Sequence, residues 1–502
     1  MLKQSNDGLT PLAGCSSLFR ARLPASHLAS LCALLLACAL SACTTVDLPT
    51  LPNELPAHWR KAGSPPSDAI QPDLQAWWKV LSDTRLDALV DRAMAQNLTM
   101  AQARSRLRQA RLLARRDHAQ HLPVVSGSAR TLQDISATDN YFQASLDAIW
   151  ELGLFGARES AQRHGNARVD AAIAVAHGAR VSGIAEVVRT YAELRGALYR
   201  ESLLRRQAAL DNHALALLDL RNRLQLGPPD ERLQIVERLA QTRAQSSEAR
   251  ETAERASQAL AVLLGQTAPD EAWTPAATWP PAPLPGTKNF ALQQVPADML
   301  RYRPEIRSAE AEVLKAAAEL GIARSELYPR ITLGVSMLYA HNLTRHSRRT
   351  SDNIPAIGPA IDIPLFDWAR RRNFAEAQKE ALEASLMAYR QTVVEGVAET
   401  ESALSRLREA QERCQQLQTA LDASKRRTQD QTLLANLGLA SGLDLLAAQR
   451  EELQQSIALA AARTSHTLAF VALYKSLGGA PWPAGEAARD WPAPSGIGGA
   501  SS

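Results

Sequence analysis

The chain has 502 residues, 46% apolar, 22% charged and only 5% aromatic, a length that suits several domains or one extended architecture. Its formal charge is +4, and without residues 1–42, which carry Lys3, Arg20, Arg22 and Asp7, the balance is near +2. That balance carries no argument for a nucleic-acid partner, and the wealth of alanine and leucine favours helix.

The first element is a targeting segment. Arg20 and Arg22 precede an apolar run from Leu28 to Leu40 that is too short for a spanning helix. Ser41 and Ala42 then lead to Cys43, and the stretch LSAC resembles a bacterial lipobox. Residues 1–42 read as a lipoprotein signal peptide, Cys43 as the acylated first residue of the mature chain, and 43–83 as a lipid-anchored segment. An ordinary secretory signal is the alternative. Cys15, Cys32 and Cys38 leave with the signal, so Cys414 has no thiol partner once Cys43 is acylated.

From residue 84 the chain reads as two copies of one plan. A helix over 84–120 has a counterpart over 296–326. Two extended segments follow in each half, hairpins over 123–154 and 329–366. A long helix over 157–222 matches one over 369–434, and a last helix over 230–264 matches one over 441–477. QHLPVVSG (120–127) pairs with ELYPRITLG (326–334), LFGARES (154–160) with LFDWARR (365–371), LQLG (224–227) with LANLG (434–438), and VLLGQTAP (262–269) with KSLGGAPW (475–482). The four offsets are 206, 211, 211 and 213 residues. The repeats therefore cover 84–266 and 296–478, joined by a Pro-rich linker at 267–295 that no helix or central strand tolerates; 479–502 form a tail.

The extended segments alternate. Phe142, Ala144, Leu146, Ala148, Trp150, Leu152 and Leu154 share one face; Gln143, Ser145, Asp147, Glu151 and Gly153 share the other, with Ile149 the exception. Ile331, Leu333, Val335, Met337 and Tyr339 repeat the pattern, as do Ile361, Ile363 and Leu365. Period two over about ten residues suits a membrane strand with lipid on one face and water on the other; a half-buried soluble sheet is the alternative. Four strands cannot close a barrel, and a bilayer does not accept open sheet edges, so membrane strands of this number require several chains. Val397, Leu404, Leu407, Cys414, Leu417 and Leu421 recur with coiled-coil spacing in the second long helix. The Arg-rich run 105–116 reads as a solvated helix face.

Little chemistry is legible. His118 and His121 stand three apart without a further ligand at metal-binding spacing and read as a surface pair. There is no Walker-type loop, GxSxG or HExxH. Gly478 and Gly479 read as a helix C-cap. Neither an enzyme nor a cofactor is indicated; a conduit, driven by a partner, is.

The stretches YFQASLDAIWELGLFGARES (141–160), VPADMLRYRPEIRSAEAEVLKAAAELGIARSELYPRITL (295–333), GPAIDIPLFDWARRR (358–372) and FVALYKSLGGAPW (470–482) resemble the TolC/OprM-like outer-membrane efflux proteins. The likeness is to the NodT-type lipoprotein branch serving resistance–nodulation–division pumps. It implies a mainly α fold with a membrane β-barrel: a homotrimer whose twelve strands, four per chain, continue into a periplasmic helical tunnel. It also implies a periplasmic adaptor, an inner-membrane pump, and cargo such as drugs, dyes, metals or organic acids. The tunnel tip would be the turns at 221–231 and 431–444, with Gly227 and Gly438 relieving the backbone. Asp219, Arg221, Arg223 and Asp430 are the candidates for its closure. Where many relatives carry a tyrosine the chain has Ala435, with Leu224 at the first turn, which suggests a gate packed partly by apolar side chains. A duct for protein export by an ABC-driven system, or a lipid-anchored coiled-coil scaffold without a pore, are the competing readings.

Overall fold

The computed structural model describes residues 76–133, 140–226, 230–270, 273, 300, 302–343 and 351–479. The signal peptide, Cys43, most of the Pro-rich linker, both hairpin tips, Gly227 and the tail from 480 lie outside them.

Among the described residues a short 3-10 helix (Trp77–Leu81) is followed by seven α-helices and four strands: α1 (Thr84–Gln96), α2 (Leu98–Ala119), β1 (Val124–Gln133), β2 (Asn140–Glu151), α3 (Ala157–Arg223), α4 (Asp230–Leu263), α5 (Pro304–Ser325), β3 (Arg330–Asn342), β4 (Ser351–Asp362), α6 (Arg370–Asn436) and α7 (Gly442–Ser476). The helix expected over 84–120 is two. Asn97 takes an extended conformation, its side chain accepts from the Met100 N–H, and its Nδ2 donates to the Leu263 carbonyl at 2.8 Å. One asparagine thus caps α2 and fastens the break to the end of α4. The counterpart expected from 296 starts only at Pro304. Arg303, as a residue before proline, is held extended (φ −61°, ψ 130°) and serves as N-cap.

Helices α3 and α6 are 67 residues each, about 100 Å at 1.5 Å per residue. In one chain α3 packs against α1, α2, α4, α5 and α7, whereas α6 packs against α5 and α7. That difference accounts for the 25 buried residues of α3 against seven in α6. Of the coiled-coil positions in α6, Leu407 and Leu421 are buried, and Val397 and Leu404 pack at the edge of the main core. That core lies where both repeats meet. Trp77 stacks on Tyr474 at 4.9 Å and meets Phe470 edge-on, around Tyr191, Leu194, Leu260 and Leu473.

The strands form one antiparallel sheet in the order β1-β2-β3-β4. Val124 faces Ile149, Leu146 faces Met337, and Arg330 faces Asp362. Ile363 and Leu365, expected in the returning strand, lie past its end. Asp362 already pairs with the first residue of β3, and Pro364 has no N–H to donate.

The internal repeat is sharper than its sequence matches. Helix α2 maps onto α5 by 206 residues at both ends (98 to 304, 119 to 325). After the hairpin the shift is 213: 157 to 370, 223 to 436 and 263 to 476. The two matches at 211 are each two residues out, because the second half carries two additional residues before α6 and the tip glycines are not equivalent.

Candidate functional site

Two regions have the geometry of a conduit: the sheet and the turns at the far end of the long helices. On the sheet, Leu146, Val335, Met337 and Ile357 are exposed on one face and lie side by side in register. Trp150 closes this face, its indole N–H donating to the His121 carbonyl at 3.0 Å, the amphipathic placement a membrane boundary favours. The opposite face is hydroxylic. Ser128 Oγ lies 2.9 Å from Ser145 Oγ, which donates to Asp147 at 2.6 Å; Ser336 donates to the other Asp147 oxygen at 2.5 Å. Arg130 donates to Gln143 on the same face. Such a sheet separates an apolar medium from water, while β1 and β4 keep open edges within the chain.

Beneath the sheet, His121 corrects the expectation of a surface pair. His118 is exposed, but His121 is buried (5% exposed) beneath Gly153. Gly153 has φ +60°, and a Cβ there would lie 2.8 Å from the imidazole Nδ1, so glycine is required on both counts.

At the other end, Asp219 pairs with Arg232 at 2.7 Å. Arg221 pairs with Glu231 at 3.1 Å and donates to the Leu226 carbonyl at 2.9 Å. Both candidates therefore brace their own α3–α4 turn. Arg223 and Asp430 are exposed, and among the described residues no ion pair joins them to the other two. Gly438 has φ +70° and, with Leu439, closes the end of α6: Gly438 N–H to Ala435 O, Leu439 N–H to Leu434 O. Its equivalent in the first turn is Gln225, at φ +58°, with the matching bonds to Asn222 and Arg221; Gly227 lies outside the described residues. Around these turns Leu220, Leu224, Leu226, Leu433, Leu437 and Leu439 are all exposed. Helix α7 then opens with a capping box of Ser441 and Asp444. Bonds from the Ser441 hydroxyl and N–H hold the Asp444 carboxyl below its usual range.

Two buried ties escape sequence reading. Asp211 on α3, 2% exposed, accepts from Arg450 of α7 at 3.1 Å and faces Thr242 of α4 at 3.5 Å. Arg303 reaches the Gly396 carbonyl (3.1 Å) and Glu399 (2.5 Å) on α6. Arg303 stands in a recognisable RPEI stretch; nothing local marks Asp211, whose partner is 239 residues away.

The family model described as outer membrane efflux protein matches residues 89–266 and 295–479. The chain is 28% identical to the pyoverdine export outer membrane protein OpmQ of Pseudomonas putida, over 91% of this chain and 99% of that one. It is 27% identical to nodulation protein T of Rhizobium leguminosarum bv. viciae, over 78% and 81%. Among solved structures it resembles the outer-membrane channel OprN at 30% identity, with TM-score 0.74, covering 87% of this chain and 99% of that one.

Proposed function

The chain belongs to the outer membrane efflux proteins, and on that footing we propose that it is the exit duct of a tripartite pump, three copies closing one barrel and one periplasmic tunnel. The sheet carries this reading: four strands, one apolar face and two open edges. A bilayer accepts strands only in a closed barrel, so copies of the chain must supply the missing strands; three copies of four make twelve. The 67-residue helices that leave the sheet would form the tunnel wall. A pore-free scaffold gives no reason for an apolar sheet face.

Cys43 is the proposed site of acylation, with residues 1–42 removed. The energy would come from an inner-membrane pump of the resistance–nodulation–division type through a periplasmic adaptor, since the sequence has no Walker-type loop. A small-molecule cargo is the class we favour; the OpmQ relative of Pseudomonas putida is named for pyoverdine export. Arg223 and Asp430, with the exposed leucines, would close the tip between copies, while Asp219 and Arg221 stiffen the first turn.

Electron cryo-microscopy of the full-length acylated protein in mild detergent tests the assembly. A three-fold tube with a short barrel at one end is expected, and a monomer or a solid bundle would overturn the reading. Palmitate labelling tests the anchor: Cys43→Ser should abolish the labelled band, and an undiminished band would remove Cys43 from the proposal.

A further inference from the structure

Within one chain, the second strand of repeat one (β2) pairs with the first strand of repeat two (β3). In a barrel shared by copies, β4 must meet β1 of the next chain, which is the same kind of junction: a repeat's second strand against the following repeat's first. The two shifts of the repeat, 206 before the hairpin and 213 after it, are accurate to one residue. Applied to the pair Val124–Ile149 they return Arg330–Asp362, the register observed in the second hairpin.

From this equivalence we propose the register of the seam between copies, resting on the shared-barrel reading above. The β2–β3 pairs Ile149–Gly334 and Asp147–Ser336 become Asp362 opposite Ser128 of the partner subunit and Ala360 opposite Arg130 of the partner subunit. All four fall on the hydroxylic face, and Asp362 lies diagonal to the partner's Arg130, an opposite charge.

Two further observations bear on the seam. Leu152 N–H donates to Ile331 O, and Leu343 N–H to Asn140 O, so even-numbered β2 residues bond across the inner junction. Their equivalents are the odd-numbered residues of β4, which include Pro355 and Pro359. The missing N–H groups thus fall on the side that faces the partner: the β3–β4 ladder keeps its donors, the edge of a single chain is guarded against wrong pairing, and the seam ladder runs two donors short. Next, Phe155 (φ +55°) stacks on Tyr328 with ring centroids 5.0 Å apart. The shift of 213 makes Trp368 (φ +56°) the equivalent of Phe155, and the shift of 206 makes Leu122 the equivalent of Tyr328. Trp368 is 85% exposed and Leu122 48% in the single chain. In the assembly Trp368 seats on the partner's Leu122, tying the start of α6 to the neighbouring copy.

The rival register follows from matching the Leu-Phe pairs (154–155 with 365–366), a shift of 211 that puts Ala360 opposite the partner's Ser128. Cysteine cross-linking separates the two. Facing residues have Cα atoms about 4.5–5.5 Å apart, within disulfide reach, while a shift of two puts them about 7–8 Å apart. In full-length protein carrying Cys414→Ser, in outer membranes with single-cysteine controls, oxidation of Ala360→Cys/Arg130→Cys should give covalent trimers; Ala360→Cys/Ser128→Cys should stay largely monomeric. Asp362→Cys/Ser128→Cys reads the same register if replacing Arg130 blocks assembly. Cross-linking only of the 360/128 pair would establish the rival register. Intact trimers in which no pair cross-links would overturn the seam alone, whereas absence of trimers would overturn the duct reading itself. Trp368→Ala should lower the temperature at which trimers fall to monomers in detergent gels; an unchanged temperature would put Trp368 against lipid.

Discussion

Arg450 and Asp211 show what a single side chain carries here. The carboxylate is almost wholly buried and its guanidinium partner mostly so. Removing one member of such a pair strands the other, at a cost of about 3–5 kcal/mol. Arg450→Ala should therefore lower the melting temperature clearly, while Arg426→Ala, an exposed position on α6, should leave it nearly unchanged. His466 on α7 makes the pH-dependent case. Burial lowers its pKa from 6.5, so the folded state resists protonation that the unfolded chain accepts. The stability it contributes is full above pH 6.5 and is lost as the pH falls below that value toward the lowered folded pKa. His466→Asn should flatten the loss of melting temperature between pH 7 and pH 5, and an unaltered slope would remove His466 as its source. Side chains of this sort are poorly legible in sequence. His121 has the composition of a surface residue, and only the close approach of Gly153 shows why it is buried.

The elements are legible where their pattern runs long. Alternation over ten residues marks the strands, and the long helices end within two residues of the expected positions. Boundaries set by distant partners are not: Asn97 breaks a helix because the end of α4 offers it a carbonyl, and β4 stops where β3 runs out. The face assignment gives a prediction at this scale. Leu146→Arg puts a charge on the exposed apolar face, and at mid-membrane depth it should cost about 2–4 kcal/mol. Trimer yield and heat resistance should fall. Arg in place of Ser145, on the hydroxylic face, should be tolerated far better; equal effects would reject the assignment.

At the scale of the whole molecule, the tip is where sequence and structure divide. The Asp219–Arg232 and Arg221–Glu231 pairs stay inside one hairpin, and of the four candidates it is Arg223 and Asp430 that are proposed to act between copies. Asp430→Asn should raise single-channel conductance in planar bilayers if it helps close the tip, and unchanged conductance would release it from that role. By itself the sequence determined the family, the duplicated plan, the helix lengths and the two-faced strands, because periodicity and repeated motifs are local and survive without knowledge of contacts. The tertiary structure alone decided that 213 and not 211 is the shift of the second half after its hairpin, the equivalence of Gln225 with Gly438, and the ties from Asp211 and Arg303. Each depends on which residues meet across hundreds of positions of chain, and that is fixed by packing and strand register, which no local pattern records.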